Sequence, residues 1–263
     1  MSVQSYLEDL ASELVLSTNE KSSINISVST LSKRIISFFG SDLIAHGEFG
    51  SYTRGTILPR PVDSYSDVDY MIIFKNPYGY KPQTLLMYLK KFVEKYYSRS
   101  EIYRDSPTMV LELQHIKFEL VPAINHSWRG ICIPSPNKAY DDWMETDPNG
   151  FNTKLTRVNT DNGFKIKPLI RLMKYWNTLH NHYYSSFLME DWLCAINNYY
   201  SNNLKNYFYN SIDRLSYNYY NEPRYIIDAI DRAKKSVSMA RSYEYQGFHY
   251  QAEQEIKKIL PQL

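Results

Sequence analysis

Two acidic residues, Asp67 and Asp69, carry the clearest chemical signal in the chain. They open the run Asp67–Phe74, whose other residues are apolar, as is typical of a buried strand. Side chains two residues apart in a strand point the same way, which places the two carboxylates about 7 Å apart on one face. Carboxylates that share a face can share divalent cations, whereas an unpaired carboxylate in an apolar strand is costly. The pattern therefore predicts a metal-dependent site rather than the solvated acidic surface expected at Glu145 and Asp147.

A turn at Gly50-Ser51 precedes this strand and follows the apolar run Leu43-Ile44-Ala45. Backbone N–H groups and a serine hydroxyl in such a turn are suited to bind a phosphate. A strand, a turn and a second strand with a carboxylate pair are therefore a layout for transferring a phosphoryl or nucleotidyl group.

Transfer assisted by two metal ions needs a third carboxylate, for which the best candidate is Glu119. In a strand, Lys117 and Glu119 point to one face, and Phe118 points to the other. Taken alone, such a glutamate is more often a rim residue paired with Lys or Arg. The upstream aspartate pair favours the metal-ligand interpretation, with Glu112 as the alternative.

A second phosphate-binding element is predicted around two helices in the back half. The run Leu169–Trp176 has apolar residues at helical spacing, which places Arg171 and Lys174 on the exposed side, where both cations can face one anion. Ser186 and Phe187 open the next helix, whose N-terminus is suited to phosphate and whose aromatic ring is suited to stack on a base. The alternatives are a solvated basic helix face and a Ser186 that only caps its helix.

Composition limits the partners and the compartment. With 263 residues and a formal net charge of +2, the chain is not a strongly cationic nucleic-acid binder, so we expect no stable nucleic-acid partner. We find neither a run of about 18 apolar residues nor a charged-then-apolar leader, so we expect no membrane anchor and no secretion. Cys132 and Cys194 lack the spacing of a zinc site and are expected to be reduced, packed thiols of a cytoplasmic protein.

Hydrophobic periodicity predicts a mixed front half and a helical back half. Helices are predicted at 3–16, 27–39, 82–98, 167–180, 186–200, 205–215, 222–240 and 248–260. Strands are predicted at 42–49, 67–74, 108–113 and 116–121, the last closed by Pro122. Residues 125–163 are rich in Pro, Asn, Gly and Asp and are predicted to form a long connection with a few strand pieces. We therefore predict an α+β fold with a catalytic lobe at 1–163 and a helical nucleotide-binding lobe at 164–263.

Together these elements resemble the nucleotidyltransferase superfamily with a polymerase-beta-like core. The similarity is greatest to the branch of cyclic GMP–AMP synthase, oligoadenylate synthase and the bacterial SMODS-type CD-NTases. It is carried by Gly50–Thr56 followed by Asp67-Val68-Asp69, by Phe118–Ala123, and by Leu169–Trp176 with Ser185–Phe187. Ser238–Pro261 is also similar to the end of the bacterial members.

The resemblance implies a bilobal core, a mixed sheet with flanking helices, followed by a C-terminal helical lobe. It implies that Asp67, Asp69 and Glu119 are catalytic and hold Mg²⁺ or Mn²⁺. It implies that the nucleotide is bound by Gly50, Ser51, Lys174, Ser186 and Phe187. The substrates would be ATP, alone or with another NTP. The product would be a cyclic or linear oligonucleotide second messenger, which in bacterial anti-phage defence activates a separate effector.

Two departures from the family pattern bear on this interpretation: Glu119 stands where Asp is usual, and the loop before Asp67 is long. The cysteine-rich zinc insertion of the animal DNA sensor is missing, which argues against activation by double-stranded DNA. Three other classes stay open. A tRNA- or RNA-tailing polymerase needs RNA-binding domains, a small-molecule or protein nucleotidylating enzyme usually has a shorter helical half, and a non-catalytic nucleotide-binding module would lack a carboxylate.

Overall fold

The computed structural model describes residues 2–76, 78–98, 100–105, 108–136, 142–196, 201, 203–218 and 221–263. The chain forms two compact units. The first, which we call the sheet unit, comprises Ser17–Arg60 and Ser64–Thr153. The second, the helical unit, comprises Met1–Leu16, Pro61–Asp63 and Lys154–Leu263.

The described residues form the following elements. The helices are α1 (Val3–Glu13), α2 (Thr18–Phe39), α3 (Gly50–Arg54), α4 (Pro82–Tyr96), α5 (Pro148–Asp161), α6 (Ile166–Thr178), α7 (Ser186–Ala195), α8 (Leu204–Arg214), α9 (Arg224–Tyr245) and α10 (His249–Lys257). The strands are β1 (Leu43–Phe49), β2 (Asp67–Phe74), β3 (Glu101–Asp105), β4 (Thr108–Glu112), β5 (Lys117–His126), β6 (Gly130–Pro134) and β7 (Trp143–Glu145).

The strands of the sheet unit form one mixed sheet. Its order is β1-β2-β5-β4-β3, and β6 continues from β5 to β7. The central pair, β2 and β5, is parallel, and the other described pairs are antiparallel. This arrangement places the two strands with the predicted carboxylates side by side.

An apolar layer fixes β2 from one side. Phe74 of β2 contacts Phe39 of α2 with ring centroids 5.0 Å apart, and Phe39 in turn contacts Phe92 of α4 at 5.6 Å. Side chains alternate along a strand, so the residues that pack on α2 share a face with Phe74, and Asp67 and Asp69 point to the other face. The helices thus hold the strand while leaving its acidic face for a site.

The helical unit is built around α6, whose apolar stripe is fully buried. The N-terminal helix α1 packs here: Tyr6 Oη donates to the Leu260 carbonyl at 2.6 Å, and Arg171 Nε donates to the Ala11 carbonyl at 3.1 Å. The first 16 residues therefore belong to the helical unit by packing. The boundary between the two units at Thr153 and Lys154 lies within α5. The division by function at residue 163 stays a prediction.

The α+β fold class agrees with the prediction, but three elements escaped it: α3, β3 and α5. Helix α5 is mostly polar and buries only Leu155 and Asn159, so it has no apolar stripe to recognise. Residues 197–200 of the predicted helix 186–200 lie outside the described residues.

Strand β5 continues through Pro122 to His126, so the prediction that Pro122 closes it is wrong. The ladder with β4 ends at Leu120 and the ladder with β6 begins at Ile124. Pro122 thus lies between these two ladders, where that edge of β5 has no partner strand. Proline, which has no backbone N–H, is tolerated at such a position.

Among the helices described, none has both the length and the apolar character needed to cross a membrane.

Candidate active site

The parallel pairing of β2 and β5 brings the predicted carboxylates together. In the register of the two strands, Asp69 pairs with Glu119 and Asp67 pairs with Lys117. Residues paired across adjacent strands point to the same face, so these four side chains share one face of the sheet. The side chains of Asp67 and Glu119 are 25% and 22% exposed, which leaves both accessible to a ligand.

Lys117 provides a cation inside this acidic group. Its Nζ lies 3.4 Å from Asp67 Oδ2 and 3.6 Å from Glu119 Oε1, and its side chain is only 10% exposed. Burial acts to lower the pKa of Lys117, but the two carboxylates outweigh it and raise the pKa above its ordinary value. Lys117 is therefore charged, and it neutralises part of the site.

Lys117 does not fully offset the negative charge around Glu119. Burial raises the pKa of Glu119, the negative charges of Asp67 and Asp69 raise it further, and Lys117 offsets this only in part, so that the pKa reaches about 8. The face thus carries surplus negative charge, which a bound cation would neutralise.

The donor chemistry of this face fits a divalent cation, because Asp67, Asp69 and Glu119 offer the carboxylate oxygens that Mg²⁺ prefers. Among the described residues, however, no three His, Cys, Asp or Glu side chains are grouped so that they would hold a metal ion as they stand. The three carboxylates therefore share a face without forming a ready-made metal site, and Lys117 lies between two of them.

Gly50 approaches Asp69 so closely that another residue would not fit. Its φ is +73°, a conformation that favours glycine, and a Cβ at this position would lie 1.8 Å from Asp69 Oδ2. The register explains the contact, because Phe49 pairs with Asp69 and Gly50 follows directly. The turn predicted to bind phosphate therefore abuts a predicted metal ligand.

The rest of the motif, Arg54-Gly55-Thr56, fixes that turn. The Ser51 carbonyl accepts a hydrogen bond from the Thr56 N–H at 3.0 Å, and Gly55 ends α3 in the left-handed conformation. Arg54 is buried, with its guanidinium 5.1 Å from the centroid of the Phe151 ring. These three residues hold the backbone of the turn in place, a role that the sequence analysis did not assign to them.

Glu112, the alternative third carboxylate, forms an ion pair with Arg60. It pairs with Lys117 in the register of β4 and β5, but its Oε1 accepts a hydrogen bond from Arg60 at 2.8 Å. An arginine partner already balances this carboxylate, so the structure favours Glu119 over Glu112 as the third acidic group.

In the helical unit, the predicted exposed basic face is wrong. Lys174 is 7% exposed and pairs with Glu190 of α7, itself fully buried, at 2.5 Å. Arg171 is hydrogen-bonded to the Ala11 carbonyl of α1, and burial lowers its pKa to about 10. The reason is that neighbouring helices pack on α6 where the sequence pattern suggested solvent.

Ser186 and Phe187 begin α7, as the sequence indicated. The cap is Ser185, whose side chain accepts from the Leu188 N–H, so Ser186 does not cap the helix. Both Ser186 and Phe187 are exposed, the latter at 51%. Their role in nucleotide binding stays a prediction.

Asn177, which the sequence analysis missed, fixes the loop before α7. Its side chain donates to the Tyr184 carbonyl at 2.8 Å and accepts from the Tyr184 N–H at 3.0 Å. Asn177 is 1% exposed, and a buried amide bonded to backbone on both sides holds a loop firmly. The repeated Asn residues of the chain gave no signal that would have distinguished it.

Comparison with known sequences identifies relatives with related activities. Residues 1–159 match the Second Messenger Oligonucleotide or Dinucleotide Synthetase (SMODS) domain family. The chain is 28% identical over 190 residues to a probable cyclic nucleotide synthase of Bacillus cereus, covering 62% of this chain and 56% of that protein. It is 24% identical over 167 residues to a cyclic AMP-AMP-AMP synthase of Acinetobacter sp., covering 60% and 48%. The chain thus spans about half the length of the curated relatives it matches.

Solved structures share the fold. The structure of E. coli MS115-1 CdnC with ATP matches with a TM-score of 0.72 and 15% identity, covering 100% of this chain and 98% of that chain. The 3'-deoxy GTP-bound form of Vibrio cholerae DncV matches with a TM-score of 0.71 and 10% identity, covering 87% and 86%. This likeness shows the polymerase-beta-like α+β architecture, and the family match extends over more than half of the chain. The chain therefore belongs to the SMODS family of CD-NTase nucleotidyltransferases.

Proposed function

We propose that this protein joins nucleoside triphosphates, with release of pyrophosphate, into a cyclic oligonucleotide second messenger. The observation that carries the proposal is the register of β2 and β5, which sets Asp67, Asp69 and Glu119 on one face beside the Gly50 turn. Membership in the SMODS family and the activities of the two relatives support the same reaction.

Asp67, Asp69 and Glu119 would hold the divalent cations, Mg²⁺ or Mn²⁺. When bound, such ions neutralise phosphate charge and lower the pKa of an attacking ribose hydroxyl. A carboxylate of this set can accept a hydrogen bond from the attacking hydroxyl and so orient it, and Lys117 keeps Asp67 and Glu119 in place in the protein without bound ions.

The Gly50-Ser51 turn binds the triphosphate through its backbone N–H groups and the Ser51 hydroxyl in this proposal. The restraints from Thr56 and Gly55 support it, because a phosphate site benefits from a preformed backbone. In the helical unit, Ser186 and Phe187 are the exposed residues suited to the phosphates and the base. Lys174 is buried against Glu190. It contributes only if the nucleotide replaces Glu190 as its partner on binding.

The substrates would be ATP, with or without a second NTP, and the reaction would be repeated at one site until the chain closes. The product, not the enzyme, would bind an effector protein, in a cytoplasmic anti-phage signalling system. The nucleotide complex of CdnC supports ATP as a substrate class for this fold.

The experiment is an incubation of the purified chain with Mg²⁺ or Mn²⁺ and all four labelled NTPs, followed by phosphatase and mass spectrometry. We expect a phosphatase-resistant cyclic product in the wild type and none in Asp67→Asn/Asp69→Asn. A parallel reaction contains tRNA. Labelled tRNA without any cyclic product would contradict the proposal in favour of a tailing polymerase.

A further inference from the structure

A cavity of about 640 Å³ is lined entirely by residues of the helical unit. Its walls come from α6 and the residues just after it, from α9, and from α10 and the segment that follows it. Trp176 lines it from α6, two residues after Lys174, and two residues turn about 200° around a helix axis. The cavity thus lies on a different side of α6 from the Lys174–Glu190 pair.

One wall of the cavity is aromatic and is formed by Trp176 and His180. The Trp176 side chain is fully buried, and its Nε1 has no hydrogen-bond partner among the residues described. His180 lies against it with ring centroids 4.4 Å apart, and His180 Nδ1 donates to the Trp176 carbonyl at 2.6 Å. Buried indole N–H groups normally find an acceptor, but this one is too deeply buried to be reached from the cavity. The accessible part of the aromatic wall is the partly exposed ring of His180.

The rim of the cavity is cationic. Arg232 and Lys235 of α9 are exposed, lie three residues apart on the same helix face, and form no ion pair or hydrogen bond within the described chain. Carboxylates nearby have other partners: Glu255 bonds Lys258 at 2.7 Å, and Asp228 pairs with Arg224 at 3.0 Å. Two cations are therefore available to one anionic group.

Two hydrogen bonds fix the last wall of the cavity, the segment around Pro261. Tyr175 Oη donates to the Pro261 carbonyl at 3.2 Å, and Tyr6 Oη donates to the Leu260 carbonyl at 2.6 Å. Binding sites for small molecules are commonly preformed clefts of about 300–1,000 Å³ with mostly apolar walls and a few convergent polar groups. This cavity meets that description.

We propose that this cavity binds a small organic anion with a flat ring, of the size of a nucleoside monophosphate. The phosphate lies between Arg232 and Lys235, and the ring lies on the partly exposed His180, whose own ring packs on the buried Trp176. An anion of this kind is favoured over a neutral ligand because the rim charges are unbalanced, and over inorganic phosphate because the partly exposed His180 ring offers an aromatic surface for stacking. The inference does not rest on the proposed transfer reaction, because Asp67, Asp69 and Glu119 do not line this cavity.

The test is photolabelling of the 263-residue chain with 8-azido-AMP, followed by mapping of the labelled peptides. We expect label on peptides of α9 or on the peptide with His180, just after α6. Arg232→Ala/Lys235→Ala is expected to weaken this labelling about tenfold or more, because it removes two charge-assisted hydrogen bonds. The matched control, Lys234→Ala on the same helix, removes a lysine that does not line the cavity and is expected to label as the wild type. Unlabelled AMP should compete, and adenosine or inorganic phosphate alone should compete weakly.

Several outcomes would overturn the inference: absence of label on these peptides, equal labelling of the double variant, or competition by phosphate alone as strong as by AMP. Circular dichroism checks that the double variant is folded, and both side chains are exposed, so no core is disturbed. Label confined to peptides with Ser51 or Phe187 would overturn this inference while supporting the proposed nucleotide site. Label on α9 that persists in Asp69→Asn, whatever the activity of that variant, separates the two proposals.

Discussion

Gly50 is the residue at which the backbone meets the acidic face. Gly50→Ala would place a Cβ 1.8 Å from Asp69 Oδ2 and force a left-handed φ of +73° on alanine. We expect a loss of about 1–3 kcal/mol in the free energy of unfolding from the strained backbone. We also expect transfer activity to fall by about 10²-fold, since Asp69 must move. Thermal unfolding and initial rates measure the two effects.

The matched control is Gly47→Ala in β1, where a Cβ meets nothing within 4 Å and φ is not positive. We expect this variant to keep its stability and activity. If Gly50→Ala were as active as Gly47→Ala, the turn would not position Asp69.

Lys117 leads to a prediction about metal binding. Lys117→Met removes the ammonium group 3.4 Å from Asp67 and 3.6 Å from Glu119, which removes the counterion of Asp67 and Glu119. Since these groups are partly buried, we expect a loss on the order of 2 kcal/mol without metal, between the values for surface and buried pairs. Added Mg²⁺ should then raise the Tm of Lys117→Met more than that of the wild type. Differential scanning fluorimetry with and without Mg²⁺ checks this.

Lys75→Met, at an exposed position just after β2, controls for the loss of a lysine. Equal Mg²⁺-induced shifts in Lys117→Met and the wild type would show that Lys117 and the cations do not compensate the same charges.

The acidic face was predictable from the sequence because it follows from the period of a strand. Asp67 and Asp69, and separately Lys117 and Glu119, share a face in any strand. The register that sets Asp69 beside Glu119 was not predictable, since strand pairing depends on contacts distant in sequence. The closeness of Gly50 to Asp69 depends on the same pairing and was hidden for the same reason.

At the scale of elements, the contact of α6 with α7 depends on a buried ion pair. Glu190→Ala leaves Lys174, 7% exposed, without the carboxylate that lies 2.5 Å away. We expect a loss of about 3 kcal/mol in the free energy of unfolding, because a buried charge that loses its carboxylate is costly. Lys174→Met/Glu190→Met should regain most of this stability, since it removes both charges. Denaturant titration monitored by circular dichroism measures all three proteins.

The exposed pair Lys90–Glu94 of α4, at 3.7 Å, supplies the control. Glu94→Ala is expected to cost under about 1 kcal/mol. A similar cost for Glu190→Ala and Glu94→Ala would mean that the α6–α7 pair is solvated.

Helix α6 also shows which part of an element its sequence can predict. The apolar spacing of Leu169, Leu172, Met173 and Trp176 identified the buried stripe, and all four are fully buried. The same pattern assigned Arg171 and Lys174 to solvent, because periodicity describes one face and cannot report that other helices cover the rest. Helix α5, with little apolar surface, gave no periodic signal in the first place.

At the scale of the whole molecule, the first helix is part of the helical unit although it begins the chain. Gln4 Oε1 accepts from the Lys205 N–H at 2.8 Å, and Tyr6 Oη donates to the Leu260 carbonyl at 2.6 Å. We therefore expect deletion of residues 2–14 to reduce amide hydrogen-exchange protection in α8 and α10 while β2 keeps its protection. Exchange measured by mass spectrometry distinguishes the two units. Equal loss of protection in β2 would show that the units do not respond separately.

Replacement of each acidic residue in turn, with pyrophosphate release as the readout, tests the central claim most directly. The claim is that Asp67, Asp69 and Glu119 form one catalytic set. Asp69→Asn and Glu119→Gln should each reduce the initial rate of pyrophosphate release from NTPs by at least about 10²-fold with the fold retained. Glu112→Gln, whose side chain is paired with Arg60, should stay within a few-fold of the wild type. A wild-type rate in Asp69→Asn, or loss of activity in Glu112→Gln but not in Glu119→Gln, would contradict the account.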